Sequence, residues 1–236
     1  MFKDIKQVMK DSVLYGIGNV AVKLVGFILI PLYTDAEYFS TADYGLMGLL
    51  EVTSQILIAV MGLSLYSGLI RWYWDAEYRD KQKTIFFTTL LFTILTSLCI
   101  GSVLWLNVGE LSALLVQQEG YSLGGELPYI LQLLILTSML GAVVEVPQNL
   151  LRLQRKPIYY SLTNIVRLFA TLVLTIYFTI SLHRGVSGVY EAQLVGIVIQ
   201  LLMVLPLVIK NSSCRVDRKC TIQLLAYSYP LVFPAI

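Results

Sequence analysis

Apolar positions gather into long blocks separated by short polar stretches, and each block has the length of a membrane-crossing helix. Such a helix needs ~20 residues to cross a ~30 Å hydrocarbon layer. Six blocks qualify, at about residues 12–33, 45–69, 84–107, 127–150, 158–181 and 188–209. A seventh opens near Ile222 and holds about 15 residues before the sequence stops at Ile236. None has the polar–apolar alternation of a transmembrane barrel strand. The connections are short, which predicts up-and-down packing of sequence neighbours. The expected fold class is therefore all-α integral membrane: a six-helix transmembrane bundle plus the start of a seventh helix. The expected divisions are a bundle at 1–210, a cytoplasmic linker at 211–221 and the opening of span 7 at 222–236. Only the 108–126 connection is long. There Gly120, Gly124 and Gly125 mark turns, while Leu111, Leu114, Leu115 and Val116 predict a short interfacial helix.

Charge in the connections is sorted. Lys3, Lys6 and Lys10 precede span 1; Arg71, Arg79, Lys81 and Lys83 follow span 2. Arg152, Arg155 and Lys156 follow span 4, and Lys210, Arg215, Arg218 and Lys219 follow span 6. These are 14 of the 17 basic residues, and the opposite connections hold only Arg184. Asp35, Glu37, Asp43, Glu110, Glu119, Glu126 and Glu191 lie on that opposite side. The positive-inside rule then places the N-terminus in the cytoplasm. Lysines before span 1 imitate a signal peptide, but its block is longer than the usual ~7–15 residues and no A-x-A-like site follows, so it reads as a retained span.

Composition agrees with this picture and narrows it. Hydrophobic residues make up 57% and charged residues 14%, against roughly 25% charged in a soluble domain. A net charge of +2 excludes a nucleic-acid partner. Cys99, Cys214 and Cys220 have neither disulfide-framework nor zinc spacing and read as unpaired thiols. His183, at a span end, reads as a solvated loop residue. No metal or cofactor is expected. No P-loop, G-x-S-x-G or H-E-x-x-H is present, so the chain reads as neither an enzyme nor a self-contained ATP-driven pump.

Candidate chemistry lies inside the blocks. Lys23, Glu51, Glu145 and Arg167 are ionisable, and each would cost ~2.5–3.5 kcal/mol or more facing lipid. Asn19 lies one turn before Lys23, and Gln55 one turn after Glu51. Folding spans 1 and 2 together brings Lys23 within a turn of Glu51. Span 4 presents Ser138, Gly141, Glu145, Gln148, Asn149 and Arg152 at helical spacing; span 5 presents Tyr160, Thr163, Asn164, Arg167, Thr171 and Thr175. Folding these spans about residue 154 sets Glu145 opposite Asn164, with Arg167 one turn deeper. Two uses stay open: lining a cavity, or hydrogen-bonding between helices as packing glue. Arg71, within Arg71-Trp72-Tyr73-Trp74, reads as an interface anchor.

Several local patterns carry a resemblance. Lys10-Asp11-Ser12-Val13-Leu14-Tyr15-Gly16 leads through Asn19 to Lys23-Leu24-Val25-Gly26-Phe27-Ile28-Leu29-Ile30-Pro31-Leu32-Tyr33-Thr34, then Asp43-Tyr44-Gly45. Gly62-Leu63 with Ile70-Arg71-Trp72-Tyr73, Arg152 through Lys156-Pro157, and Ser228-Tyr229-Pro230-Leu231 continue it. The chain resembles the N-terminal half of oligosaccharide flippases of the polysaccharide biosynthesis protein family, within the multidrug/oligosaccharidyl-lipid/polysaccharide exporter (MOP) superfamily. The acidic loop Asp35-Ala36-Glu37-Tyr38-Phe39 departs from that pattern, since relatives usually carry an Arg and a compact turn there. The resemblance implies two pseudo-symmetric bundles around a central cavity, so this chain would be about half of a longer protein. It implies alternating-access transfer of polyprenyl-diphosphate-linked oligosaccharide for O-antigen, capsule or exopolysaccharide synthesis, alongside membrane lipids and other polysaccharide assembly proteins. Lys23 and Arg167, with Asn19 and Asn164, would meet the substrate, and Arg71 and Arg152 would stand at the cytoplasmic entrance. The alternative is an ion-coupled multidrug exporter of the same superfamily, with Glu51, Glu145 and Gln55 as ion-coupling or charge partners. A membrane glycosyltransferase or polymerase would need a large catalytic loop that this chain lacks, and a non-transporting scaffold is the remaining reading.

Overall fold

A backbone in hydrocarbon must satisfy its own N–H and C=O groups, and a helix does this within one segment. The computed structural model describes residues 27, 29–119, 125–213 and 215–231, and among them the regular elements are all helical. The described end of the first apolar block is helical up to Tyr33. Then follow α1 (Thr41–Gly62), α2 (Leu65–Trp72), a 3-10 turn (Ala76–Lys81), α3 (Gln82–Leu106) and α4 (Val108–Glu119). The second part holds α5 (Leu127–Leu153), α6 (Pro157–Ile176), a π-helical turn (Tyr177–Ser181), α7 (Gly185–Asn211) and α8 (Arg218–Ser228). Five stretches are long and apolar enough to cross a membrane: Thr41–Gly62, Tyr78–Leu106, Leu127–Leu153, Pro157–Ser181 and Gly185–Asn211. They match predicted spans 2 to 6, while most of span 1 lies outside the described residues. The helix expected in the long connection forms as α4. Cys99 and Cys220 are free thiols, and Cys214 lies outside the described residues.

Predicted span 2 needs correcting. It is not one helix over 45–69 but α1 and α2, separated at Leu63 and Ser64, whose φ angles of 46° and 49° leave the right-handed region. The apolar run continues through this point, so hydropathy alone cannot register the break. Tertiary partners hydrogen-bond to the chain on both sides of the break. Thr96 Oγ1 donates to the Met61 carbonyl at 2.7 Å, and Ser64 Oγ donates to the Leu231 carbonyl at 3.3 Å. The start of α1 also moves, to Thr41, because Ser40 and Asp43 form a reciprocal capping box: Asp43 N–H donates to Ser40 Oγ (3.1 Å) and Ser40 N–H to Asp43 Oδ2 (2.9 Å). Ser40→Ala should destabilise this end of α1 by about 1 kcal/mol, read as faster amide exchange over the first turn. Unchanged exchange there would refute the capping role.

The expected chain of neighbouring hairpins also needs correcting. α5 is central: 56% of its apolar window is buried, against 17% to 33% in the other four spans. It packs broadly on α7, α3 and α1 but only narrowly on α6, its sequence neighbour. α7 packs against both α5 and α6. Gly188, Ala192 and Gly196 give α7 a buried small-residue face, which permits the close backbone approach that drives helix association in lipid. Leu46, Leu50, Ile130, Leu134 and Tyr190 form one core cluster, and Leu69, Phe86, Leu150, Leu151 and Leu224 belong to another.

The two ends of the bundle differ. At one end, Gln154 Nε2 donates to Tyr73 Oη (3.1 Å) and to Asn211 Oδ1 (2.9 Å), and Lys81 pairs with Asp217 at 2.7 Å. These contacts tie together the connections that carry the basic residues. At the other end Arg184 pairs with Glu191 at 2.6 Å, and Tyr129 Oη donates to the same carboxylate at 2.9 Å.

Candidate functional site

Polar residues recurring every three or four positions on a helix share one face, and on α5 this face carries Glu145, Gln148, Asn149 and Arg152. Opposite stand Tyr160, Asn164 and Arg167 of α6 and Gln200 of α7. Together they line a cavity of about 220 Å³. Gln200 is the bridging group: its Oε1 accepts from Arg167 Nη1 at 3.1 Å, and its Nε2 donates to Asn164 Oδ1 at 3.0 Å. Asn164 Nδ2 then donates to the Tyr160 carbonyl at 2.8 Å. Gln148 Nε2 donates to Thr163 Oγ1 at 2.9 Å. This chain of amides fixes the guanidinium of Arg167 while leaving other N–H donors of its planar fork unused by Gln200.

Arg152 lies over the ring of Tyr160, with Cζ 4.6 Å from the centroid, and donates to its hydroxyl. The stacked geometry suits a guanidinium, whose flat, weakly hydrated face binds aromatic rings. Glu145 lines both this cavity and a second of about 230 Å³, which Gln55, Ser64 and Tyr66 also border. Gly62 borders that second space, where a Cβ would make only an ordinary contact, 4.0 Å from Glu145 Oε2. With ordinary protonation the first cavity holds two guanidinium charges against one carboxylate.

The predicted residues divide as follows. Glu145, Arg152, Asn164 and Arg167 all line the first cavity. Glu51 and Gln55 stay on α1, where Gln55 Nε2 donates to Glu51 Oε1 at 3.3 Å. Arg71 lines neither cavity and lies over Tyr227, whereas Arg152 lines the first cavity and lies over Tyr160. Lys23 and Asn19, and with them the anticipated Lys23–Glu51 pair, lie outside the described residues. Gln200 is absent from the sequence-derived set. Its signal was present, because it is the one strongly polar side chain between Gln193 and Lys210. Among the described residues, no group of three His, Cys, Asp or Glu side chains gathers as a metal site.

No protein-family model matches the chain, and no curated protein matches it. Solved structures do. One is an outward-facing multidrug resistance MATE family transporter of the MOP superfamily, with TM-score 0.73 and 18% identity over 98% of this chain and 52% of that one. A MOP superfamily transporter from Pyrococcus furiosus, described as having a binding pocket of reverse polarity that suggests a different function, gives 0.72 and 19% over 98% and 52%. An inward-facing MATE family transporter gives 0.61 and 17% over 94% and 50%. The chain spans about half the length of these structures. It is a multi-pass membrane protein with the fold of one half of a MATE/MOP transporter.

Proposed function

We propose that this chain is one half of an alternating-access membrane transporter in which the cavity between α5, α6 and α7 meets cargo or a coupling ion. The observation that carries the proposal is the Arg167–Gln200–Asn164 network. A guanidinium placed among apolar spans is expensive unless it faces a polar cavity, and here Gln200 of α7 partners it while α5 lines the cavity it faces. The role is transport and not catalysis. The setting is the cell membrane, with the basic end of the bundle, and so the N-terminus, on the cytoplasmic side.

Two cargoes fit. The similar structures support multidrug export better than oligosaccharide flipping, since two of the three named neighbours are multidrug resistance MATE family transporters. In that reading Glu51 and Glu145 take up the coupling ion, and Gln55 and Arg167 tune their charge. A specific observation favours the second reading, transfer of a polyprenyl-diphosphate-linked oligosaccharide: Arg152 and Arg167 outnumber Glu145 in the cavity, and a diphosphate entering a low-dielectric interior needs positive partners. Lys23, Asn19 and Asn164 would join them there, and polysaccharide assembly proteins would be the partners.

Reconstitution of the full-length transporter in proteoliposomes separates the two. Efflux of a fluorescent lipophilic cation, driven by a proton or sodium gradient and abolished by Glu145→Gln, is the result expected for export. Translocation of a lipid-diphosphate oligosaccharide, lost in Arg152→Gln, establishes flipping instead. Movement of neither solute, with protein correctly inserted, would overturn the transport proposal.

A further inference from the structure

α2 is short, yet it is held firmly. Leu65, Gly68 and Leu69 are buried, while Ile70 and Arg71 face outward. α8 lies against its buried face so closely that a Cβ on Gly68 would come within 2.5 Å of Leu224 Cδ2 and 3.2 Å of Ser228 Oγ. Where the two helices meet, Arg71 Cζ sits 4.9 Å from the Tyr227 ring centroid and 5.9 Å from that of Trp72. The rings of Trp72 and Tyr227 themselves meet edge to face at 5.2 Å. Arg71 is thus oriented by aromatic faces, and among the described residues it makes no ion pair.

Two exposed apolar side chains flank this guanidinium: Ile70, 44% exposed, and Trp74, 66% exposed. They stand at the basic end of the bundle, in the connection between the membrane-length stretches Thr41–Gly62 and Tyr78–Leu106. A planar cation with free N–H donors, beside apolar groups at the boundary of a hydrocarbon layer, matches one ligand above others. Its fork binds a phosphate in two places, and Trp and Ile lie alongside glycerol and acyl carbons. We propose that Arg71, with Trp72 and Tyr227, forms a binding site for the phosphate of an anionic phospholipid, with Ile70 and Trp74 against its acyl chains. The site joins α2 to α8, so a bound lipid fastens the break at Leu63 and Ser64 to the segment that follows α7. It is independent of the cavity and of the cargo assigned to it.

Native mass spectrometry of the full-length protein released from detergent, with phosphatidylglycerol or phosphatidylcholine added, tests the site. The expected result is retention of phosphatidylglycerol over phosphatidylcholine, at least fivefold weaker in Arg71→Gln and unchanged in Lys83→Gln, an exposed cation at the same end. Millimolar glycerol 3-phosphate should not displace the lipid; displacement by it would show a free-phosphate site and overturn the lipid assignment. Equal retention in wild type and Arg71→Gln, or no preference between the lipids, would overturn it also. A photoreactive phosphatidylglycerol on the wild-type protein gives a readout that needs no variant. Labelling of residues 65–74 or 218–231 supports the site, and labelling confined to other segments refutes it.

Discussion

Gly196→Val should destabilise the bundle by about 1–3 kcal/mol, the range for overpacking a tight contact, and should disable the polar cavity at the same time. A Cβ at Gly196 would overlap the Thr171 hydroxyl and stand 3.3 Å from the Arg167 carbonyl oxygen. Threonine can turn its hydroxyl away, but the α6 backbone cannot retreat without moving Arg167 itself. Gln200 follows one turn later on α7, so a wedge at Gly196 pulls its amide away from both Arg167 and Asn164. Thermal unfolding of the purified protein in detergent measures the first effect. Gly48→Val is the control, because a Cβ there meets nothing within 4 Å, and a change within about 0.5 kcal/mol is expected of it. Equal midpoints for the two variants would show that α6 and α7 are not spaced by this glycine.

Arg167→Ala should reduce transport at least tenfold while leaving membrane insertion intact. Removing the guanidinium leaves the buried Gln200 Oε1 without its donor, an unsatisfied group worth about 1–3 kcal/mol. It also takes one of two positive charges from the cavity. Arg167→Lys keeps the charge but loses the fork geometry, so it should restore only part of the activity. Gln200→Leu leaves Arg167 in place but unoriented, and should fall between the wild type and Arg167→Ala. Transport in Arg167→Ala equal to wild type, at matched protein level, would remove the cavity from the mechanism.

These expectations rest unequally on sequence and structure. Glu145, Asn164 and Arg167 were readable in advance, because helical periodicity sorts a polar stripe onto one face and a short turn folds two stripes together. Gln200 stands out as a lone polar residue in its span, but its place at this site was not readable, since that depends on which helices touch. A narrow α5–α6 contact with α7 packed against both overturns the simplest hairpin reading, and small residues at Gly188, Ala192 and Gly196 are what allow it. Arg71 and Arg152 carry the same charge at the same end of predicted spans, yet one stacks on Tyr227 and the other on Tyr160. Sequence spacing gives no means of separating them, because both aromatic partners are chosen by packing.

Sequence by itself determined that this chain crosses a membrane repeatedly, where five of its described spans run, and which end of the bundle is basic. Those properties follow from transfer free energies that each residue carries wherever it sits. Tertiary structure alone decided that span 2 breaks at Leu63 and Ser64, that α5 is the central helix, and that Gln200 completes the site. Each of these depends on which surfaces fit against one another, and apolar residues in lipid have no solvation preference that would choose among neighbours. Close backbone approach and satisfied polar groups make that choice, and they exist only once the helices have packed.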